Sequence, residues 1–438
     1  TATGVISANG TYTSDGQAIT FSGATRLDSA VTIDTTNDGN AGTVGHVMFA
    51  STVQSKATQF NDLTVKAGAG DITFSNTVGH ELGSDKRLGD VQISSARHVT
   101  VADTKLLHSN SLTQLNGSGT TTFGGVVNVF GAVSLNGGGF WFKDAVSTTS
   151  GAHITITNAG ALTIAGGKSV NSGGKFEQLG SLAASTVSLG SNVTAGGLIK
   201  FAGDVTLTDS VTLDSSSANG NITFDGELNA TTARAQDLTV SSGTGDLFFN
   251  DAVGTAATPL GALTINSARS TTIANDFYAK SFSQSLAAMG AGTFKLDGNL
   301  TTDTEGVVIS SRTVDLNGNI RTTAGVNANS SDNGLVTIHA GVGGVDLLAG
   351  KSINTTPLSP GITAGAITID SVGAIDLRGS LITKGSASVA GNGGAGGNIT
   401  LETTGTDSGI TMASLDLRGG DSQQVGGIGG AAGTITLI

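Results

Sequence analysis

The stretch that decides the fold is LTVSSGTGDLFFN at residues 238–250, because a similar stretch, LTVKAGAGDITFSN, occurs 175 positions earlier at residues 63–76. The two copies keep their apolar positions and their Gly-Asp pair, while most other letters differ. In each copy, an apolar-polar-apolar triplet is followed by glycines and then by a second apolar segment, Ile72-Thr73-Phe74 in the first copy and Leu247-Phe248-Phe249 in the second. Alternation with a period of two is typical of a β-strand, and glycine is typical of a turn. Each copy is therefore interpreted as strand, turn, strand.

The same kind of triplet, very often with Thr in the middle, occurs along the whole chain. Each one predicts a short strand with two aliphatic side chains on one face and a polar side chain on the other. Gly, Asn, Asp and Ser fill the intervals, and these residues accept positive φ or form local turns. Examples are Val31-Thr32-Ile33, Val99-Thr100-Val101, Ile154-Thr155-Ile156, Leu162-Thr163-Ile164, Leu263-Thr264-Ile265, Ile367-Thr368-Ile369 and Ile399-Thr400-Leu401.

A longer duplication organises the chain. Residues 21–140 and 201–320 are interpreted as two copies of one module, separated by spacer coils at 141–200 and followed by Gly-rich coils at 321–438. The stretch LGDVQISSAR at 88–97, for example, matches LGALTINSAR at 260–269. The offset between the copies varies, which indicates insertions in turns and retention of strands.

Length and composition then select the architecture. The chain has 438 residues, 67 of them Gly, and it exceeds the ~250 to 300 residues at which a single compact core stops growing. Glycines at this density would each cost a helix roughly 1 kcal/mol relative to Ala. Short strands cannot bury a face alone, but stacked coils can. The sequence predicts an all-β fold, one continuous right-handed parallel β-helix over residues 1–438, as an elongated rod with coils ~4.8 Å apart.

Several classes of function are disfavoured. A formal net charge of −12 argues against nucleic-acid binding. The absence of Cys excludes disulfides and thiolate metal sites. No apolar run approaches 18 residues, so we expect no membrane insertion. The last letters, GTITLI, form part of a strand, so we expect the chain to continue past residue 438.

Three stretches of the sequence resemble a known class of repeat: SLTQLNGSGTTTFGGVVNVFGAVSLNGGG (111–139), NAGALTIAGG (158–167) and GGAGGNITL (393–401). They resemble the β-helical repeat regions of giant bacterial surface and secreted proteins, the filamentous-haemagglutinin-like adhesins. The resemblance covers nearly the whole chain and implies an exported fibrous stalk or adhesin shaft with no catalytic residues. The Asn-Pro-Asn-rich secretion module of such proteins is absent, since Pro occurs only at 259, 357 and 360. We therefore expect an internal segment or another export route.

The expected function is that of an exported structural or adhesin segment, extracellular or at the bacterial cell surface, and not an enzyme. The low charge and the Thr, Ser and Asn surface suit packing against copies of itself or neighbouring segments of a longer chain. A cell-surface glycan or protein is a further possible partner. The alternative is a β-helical protein that binds or cleaves polysaccharides, which for cleavage would need clustered carboxylates.

The main candidate contact surface is GGGFWF at 137–142, where consecutive aromatic residues break the alternation. If Phe140 and Phe142 point inward, Trp141 forms an exposed platform for a sugar ring or a partner. A bulge or a sealed corner is the alternative.

The remaining polar candidates favour structural roles. Asp71 and Asp246 occupy repeat-equivalent corners and are interpreted as turn residues. Arg97 and Arg269 are interpreted as corner arginines that donate to carbonyls of the next coil, and so are Arg378 and Arg418. The stretch HELGSDKR at 80–87 is a solvated loop or a partner contact.

No cofactor is predicted, although calcium remains an alternative at two places. Carboxylate and amide oxygens are ligands that calcium accepts. The first place is the 34–40 loop, with Asp34, Asn37, Asp38 and Asn40, and the second is the glycine-rich stretch that contains Asn398. Neither pattern recurs in tandem.

Overall fold

A computed structural model of the chain describes residues 4–36, 42, 44–80, 86–149, 151–180, 185–284, 292–303, 305–323, 334–406 and 408–438. Its backbone forms two compact units, Thr1–Asp209 and Ser210–Ile438, which are described separately.

The strands of the first unit are short and follow one another closely. They are β1 (Ile6–Thr13), β2 (Ile19–Phe21), β3 (Thr25–Asp34), β4 (Val47–Phe49), β5 (Val53–Ser55), β6 (Leu63–Lys66), β7 (Ile72–Phe74), β8 (Leu88–Ser95), β9 (Val99–Val101), β10 (Leu107–Gln114), β11 (Thr120–Phe123), β12 (Val127–Val129), β13 (Val133–Gly137), β14 (Gly139–Phe142), β15 (Val146–Thr148), β16 (Ile154–Asn158), β17 (Ala161–Ile164), β18 (Ser169–Ser172), β19 (Phe176–Gln178), β20 (Thr186–Leu189), β21 (Asn192–Ala195), β22 (Ile199–Phe201) and β23 (Asp204–Leu207).

The second unit also consists of short, closely spaced strands. Its strands are β24 (Val211–Asp214), β25 (Ile222–Phe224), β26 (Leu228–Ala230), β27 (Leu238–Ser241), β28 (Leu247–Phe249), β29 (Leu260–Ser267), β30 (Thr271–Ile273), β31 (Phe277–Gln284), β32 (Thr293–Leu296), β33 (Leu300–Thr302), β34 (Val307–Leu316), β35 (Ile320–Thr322), β36 (Val336–Leu347), β37 (Ser352–Asn354), β38 (Ile367–Ser371), β39 (Ile375–Ile382), β40 (Ile399–Thr403), β41 (Ile410–Asp416) and β42 (Ile435–Leu437), with a short 3₁₀ turn at Ser216–Ala218.

In the first unit, the chain returns to the same parallel ladder once per coil. One ladder carries the inward residues Ile19, Val47, Ile72, Val99, Thr121, Phe140, Leu162, Val187 and Val205 in register. Another carries Val31, Leu63, Val91, Leu112, Val133, Ile154, Phe176 and Ile199. A third passes through Val53, Val78, Leu107, Val127, Val146, Val170 and Val193.

The second unit is built in the same way. Its ladders run through Val211, Leu238, Leu263, Phe282, Val307, Val336, Ile367, Ile399 and Ile435, through Ile222, Leu247, Thr271, Phe294, Val314, Val345, Ile375 and Ile410, and through Leu228, Val253, Phe277, Leu300, Ile320, Ile353, Leu381 and Leu415. These in-register parallel ladders confirm the prediction of an all-β, parallel β-helical fold.

Stacked phenylalanines share the interior with the aliphatic residues. The rings of Phe21, Phe49 and Phe74 lie on successive coils, with centroid distances of 4.9 and 5.2 Å and nearly parallel planes. Phe123 and Phe142 stack in the same way at 5.0 Å. A parallel ladder places the same ring position one coil apart, so identical residues stack face to face. The sequence analysis emphasised the aliphatic residues of the triplets and did not predict this stacking of phenylalanine rings.

The two similar stretches, at 63–76 and 238–250, have the same local structure. The strands β6 to β10 match β27 to β31 in order and in length. Gly68 and Gly243 occupy equivalent turns with φ of 56° and 63°, a left-handed conformation that favours glycine. Gly70 and Gly245 follow, where an added Cβ would lie 2.3 and 2.5 Å from a carbonyl oxygen of the preceding coil. The shared glycines are therefore required by the same turn and the same close approach of two coils.

Among the residues that the structure describes, the helical element is the 3₁₀ turn at Ser216–Ala218. Within the described ranges, no helix has the length and apolar character that a bilayer span requires.

The stacked rings give the first testable prediction. Phe74→Ala removes a ring that is 1% exposed, and we expect it to lower the free energy of unfolding by about 3–5 kcal/mol. The control is Thr73→Ala, because Thr73 points outward from the same strand and its loss is expected to change stability by only about 0.5 kcal/mol. Urea unfolding followed by circular dichroism measures both. Equal effects of the two substitutions would contradict the inward assignment.

Candidate functional site

The aromatic triplet at 140–142 lies on a regular strand. β14 is in register with β11 on one side and with β17 on the other. Phe140 and Phe142 are buried, whereas Trp141 is 41% exposed. The strand contains no bulge, and its side chains alternate as the platform hypothesis requires.

Trp141 stands in a row of much smaller outward residues. Its partners in register are Thr122 on the preceding coil and Thr163 on the following coil. Because threonine side chains are short, the indole rises above its neighbours on this face. An exposed aromatic ring among hydroxyl groups offers an apolar surface next to hydrogen-bonding groups.

A lysine fixes one face of the indole. The Nζ atom of Lys143 lies 4.4 Å from the centroid of the Trp141 ring, which is a cation–π distance. The same ammonium group donates to Asp103 Oδ1 at 2.9 Å. Lys143 is thereby tethered at its outer end, so the orientation of the indole is restrained before any ligand arrives.

The glycines that precede the aromatic residues create a groove beside Trp141. The groove has a volume of 530 Å³, and Ser118, Thr120, Gly138, Gly160 and Trp141 are among its lining residues. An added Cβ on Gly138 would lie 2.8 Å from the carbonyl oxygen of Gly119, and one on Gly160 would lie 3.0 Å from that of Gly138. Successive coils therefore approach closely at this corner without side chains between them, and the missing side chains leave the groove open.

We call Trp141, Lys143 and this groove the Trp141 surface. It combines an oriented indole, an ammonium group and the hydroxyl groups of Ser118 and Thr120. These groups can stack against the face of a sugar ring and hydrogen-bond its hydroxyls, or they can contact an apolar side chain of a partner protein.

The twin arginines and aspartates pair with each other. Arg97 donates to both carboxylate oxygens of Asp71, at 2.9 and 2.6 Å. Arg269 forms the same bidentate pair with Asp246. The hydrogen bond from Arg97 lowers the pKa of Asp71. The expectation that these arginines donate to carbonyls was wrong, because the corner of the neighbouring coil presents a carboxylate. Their role is nevertheless structural, since each pair ties one coil to the next.

The arginines near the C-terminus are also paired with carboxylates. Arg378 donates to both oxygens of Asp346, at 2.6 Å each, and Arg418 donates to Asp416. The Arg418 hydrogen bond lowers the pKa of Asp416 to about 2. Carbonyl binding was therefore the wrong expectation here as well.

The 80–87 stretch ends in a residue with a clear structural role. The guanidinium of Arg87 lies between the rings of Phe60 and Phe130, at 3.9 and 4.0 Å, and donates to Asn110 at 2.7 Å. Glu81 and Asp85 of the same stretch lie outside the described residues.

The calcium candidates are only partly described. Asp34 accepts hydrogen bonds from Thr36 and lies 3.3 Å from the ammonium of Lys66, while Asn37, Asp38 and Asn40 fall outside the described residues. Asn398 accepts from Thr434 at 3.0 Å. Across the ranges that the structure covers, no three His, Asp or Glu side chains group as metal ligands.

Sequence reasoning missed a row of carboxylates. Asp315, Asp346 and Asp376 are in register on three consecutive coils. Burial, followed by repulsion from Asp346, raises the pKa of Asp315. The triplets Val314-Asp315-Leu316 and Ile375-Asp376-Leu377 predict that Asp315 and Asp376 face outward, but only the register of the coils brings the three carboxylates together.

No protein-family model, curated protein or solved structure matches the chain. The resemblance to filamentous-haemagglutinin-like repeats therefore stays a prediction, and the fold assignment is based on the parallel ladders.

The two aspartates with opposite pKa shifts give a prediction about pH. Asp71 has a lowered pKa, so its ion pair stabilises the fold above the ordinary carboxyl pKa and is lost as the pH falls through the folded value. Asp315 has a raised pKa, so its charge destabilises the fold once the pH exceeds the ordinary value. At pH 7, Asp71→Asn should therefore lower the melting temperature and Asp315→Asn should raise it.

Both effects should shrink as the pH is lowered towards 3, because the carboxylates of the unsubstituted protein then become protonated. Thermal unfolding at several pH values measures the differences. Melting temperatures that move in the same direction at pH 7 would contradict the assignment.

Proposed function

We propose that this chain is an exported fibrous segment that provides a stalk or a self-assembling filament at the bacterial cell surface. The observation that carries the proposal is the filling of the coil interior. Inward positions of successive coils are occupied by buried Val, Ile, Leu and Phe side chains in continuous ladders. Such a packed core supports a role for the fold as a scaffold whose outer surface contacts partners.

The outward surface supports self-association. In the second unit, one outward row consists mostly of threonines, in register from coil to coil: Thr212, Thr239, Thr264, Ser283, Val308, Thr337, Thr368, Thr400 and Thr436. Only 12% of the residues in the chain are charged, so repulsion between copies is weak. Regular, weakly charged rows suit lateral packing against another copy or a neighbouring segment of a longer chain.

The Trp141 surface supports an adhesive role within the same proposal. Its oriented indole and its glycine-lined groove are features that a purely mechanical shaft does not need. A cell-surface glycan or protein would contact this surface, with the ring of Trp141 as the central anchor.

The second candidate function is binding or cleavage of a polysaccharide. The Trp141 groove favours binding, and the carboxylate row at Asp315, Asp346 and Asp376 supplies the residues through which cleavage would be tested. Asp346 and Asp376 both pair with Arg378, which leaves Asp315, with its raised pKa, as the residue to examine for proton transfer.

Binding is tested with glycan arrays and whole bacterial or host cells. We expect Trp141→Ala to reduce binding affinity roughly tenfold or more, because a tryptophan that becomes buried at an interface often supplies much of the binding free energy. Phe248→Ala is the matched control, since Phe248 is an outward aromatic residue on a regular strand of the other unit. Trp141 is the single tryptophan of the chain, so a bound ligand should also change the intrinsic fluorescence. Unchanged binding by Trp141→Ala would remove the adhesive role.

The structural role has a separate test. Electron microscopy of the purified chain should show fibres or ordered lateral assemblies, and dispersed particles over a wide concentration range would contradict self-assembly.

Release of unsaturated or reducing products from acidic polysaccharides, abolished by Asp315→Asn, would favour the enzymatic alternative.

A further inference from the structure

A second outward row of the second unit breaks the threonine pattern. Tyr278 on β31, Thr301 on β33, Arg321 on β35 and Asn354 on β37 are in register on four consecutive coils. Parallel strands are ~4.8 Å apart, so an aromatic ring, a hydroxyl, a guanidinium and an amide follow one another at regular intervals. The row thus presents a different chemical group on each coil.

This row forms the floor of a groove. Two cavities of 450 and 340 Å³ share Tyr278, Thr301 and Arg321 among their lining residues. Pro259 and Leu358 line the larger cavity as well. We call this feature the Arg321 groove. It crosses several coils, so it suits an elongated ligand.

The guanidinium of Arg321 distinguishes the groove. Arg97, Arg269, Arg378 and Arg418 all pair with aspartates. Arg321 is exposed, and it makes no hydrogen bond or ion pair with any residue of the described ranges. Arg234, which also lines the groove, is paired with Asp303. The cavity walls therefore contain one cationic group with its donors available to a ligand.

Hydrogen bonds fix the neighbouring wall. Asn299 donates to Asp276 Oδ1 at 2.8 Å, and Asn319 donates to Asn299 Oδ1 at 2.8 Å. Asn319 Oδ1 then accepts from the backbone N–H of Ser352 at 2.9 Å. This amide ladder lines the smaller cavity and joins four coils. A wall held in this way loses little conformational freedom when a ligand binds.

We propose that the Arg321 groove binds an acidic oligosaccharide. A carboxylate or sulfate group of the ligand pairs with the Arg321 fork, whose planar donors match two anionic oxygens. A sugar ring packs on Tyr278, and neighbouring hydroxyls meet Thr301 and Asn354. The mixture of hydroxyl, amide and aromatic groups favours a saccharide over an acidic peptide, because a sugar presents hydroxyls on every residue. The proposal concerns a different unit from the Trp141 surface and does not depend on it.

Isothermal titration calorimetry with four probes tests the proposal: an oligogalacturonate, a heparin-derived oligosaccharide, a neutral cello-oligosaccharide and a short polyglutamate. We expect binding of one or both acidic saccharides that weakens with salt, and at least tenfold weaker binding of the other two probes. Preference for the oligogalacturonate identifies carboxylate as the recognised group, and preference for the heparin fragment identifies sulfate. Equal binding of the neutral sugar or of polyglutamate would overturn the proposal, as would no binding of either acidic saccharide.

Substitutions then locate the site. Arg321→Ala should weaken binding of the acidic saccharide roughly tenfold or more, and Arg321→Lys should recover part of the loss, because lysine keeps the charge without the fork. Tyr278→Ala should weaken binding of the same probe.

Arg312→Ala is the matched control, since Arg312 is exposed on β34 and does not line the groove. Circular dichroism and the melting temperature confirm that each variant is folded. If Arg312→Ala weakens binding as much as Arg321→Ala, the effect is one of net charge and the groove is not the site. Trp141→Ala is expected to leave this binding unchanged, which separates the proposal from the adhesive role of the Trp141 surface.

Discussion

The structure depends on the register between neighbouring coils. Each strand within a ladder forms parallel backbone hydrogen bonds with the strands of the preceding and following coils, and this pairing places equivalent side chains directly above one another. The stack Phe21, Phe49 and Phe74 shows the consequence, since ring contacts repeat wherever the register does. A slip by one residue would turn every inward side chain of a strand towards water. Burial and hydrogen bonding therefore enforce the same alignment in each unit.

The corners obey a second constraint that follows from the first. Coils separated by ~4.8 Å leave little space where the backbone turns, and buried carbonyl groups there need donors. Glycine supplies the space, and short hydroxyl side chains supply the donors. Thr35, Thr355 and Thr383 are buried and donate to the carbonyl oxygens of Gly45, Gly365 and Gly397 at 2.7, 2.7 and 2.8 Å. The high content of Gly, Thr and Ser is thus explained by corner geometry as well as by the outward rows.

These constraints explain how far sequence reasoning reached. Apolar triplets predict the strands and their faces, because alternation is a local property. At residues 140–142, where consecutive aromatic residues break the alternation, the sequence left a bulge or a sealed corner open beside the outward Trp141. Contacts between coils were predicted poorly. Asp71 and Arg97 meet because a corner of specific length brings them together, and Tyr278 and Arg321 share a groove because the intervening coil, with Thr301, keeps the register. Corner lengths vary along the chain, so the residue types within the triplets do not reveal which outward residues become neighbours on adjacent coils.

The same separation of roles explains where binding sites can arise on such a scaffold. Inward positions are restricted by the packing of the coils, whereas the middle residue of a triplet contacts mainly solvent and its equivalents on adjacent coils. Trp141 follows Thr122 in its row, and Arg321 follows Thr301 in another. In both cases, a large side chain occupies a position where the preceding coil has threonine, and the backbone pairing is unchanged. A single outward side chain can therefore change while the inward core and the backbone pairing stay the same, and both proposed binding surfaces lie at such positions.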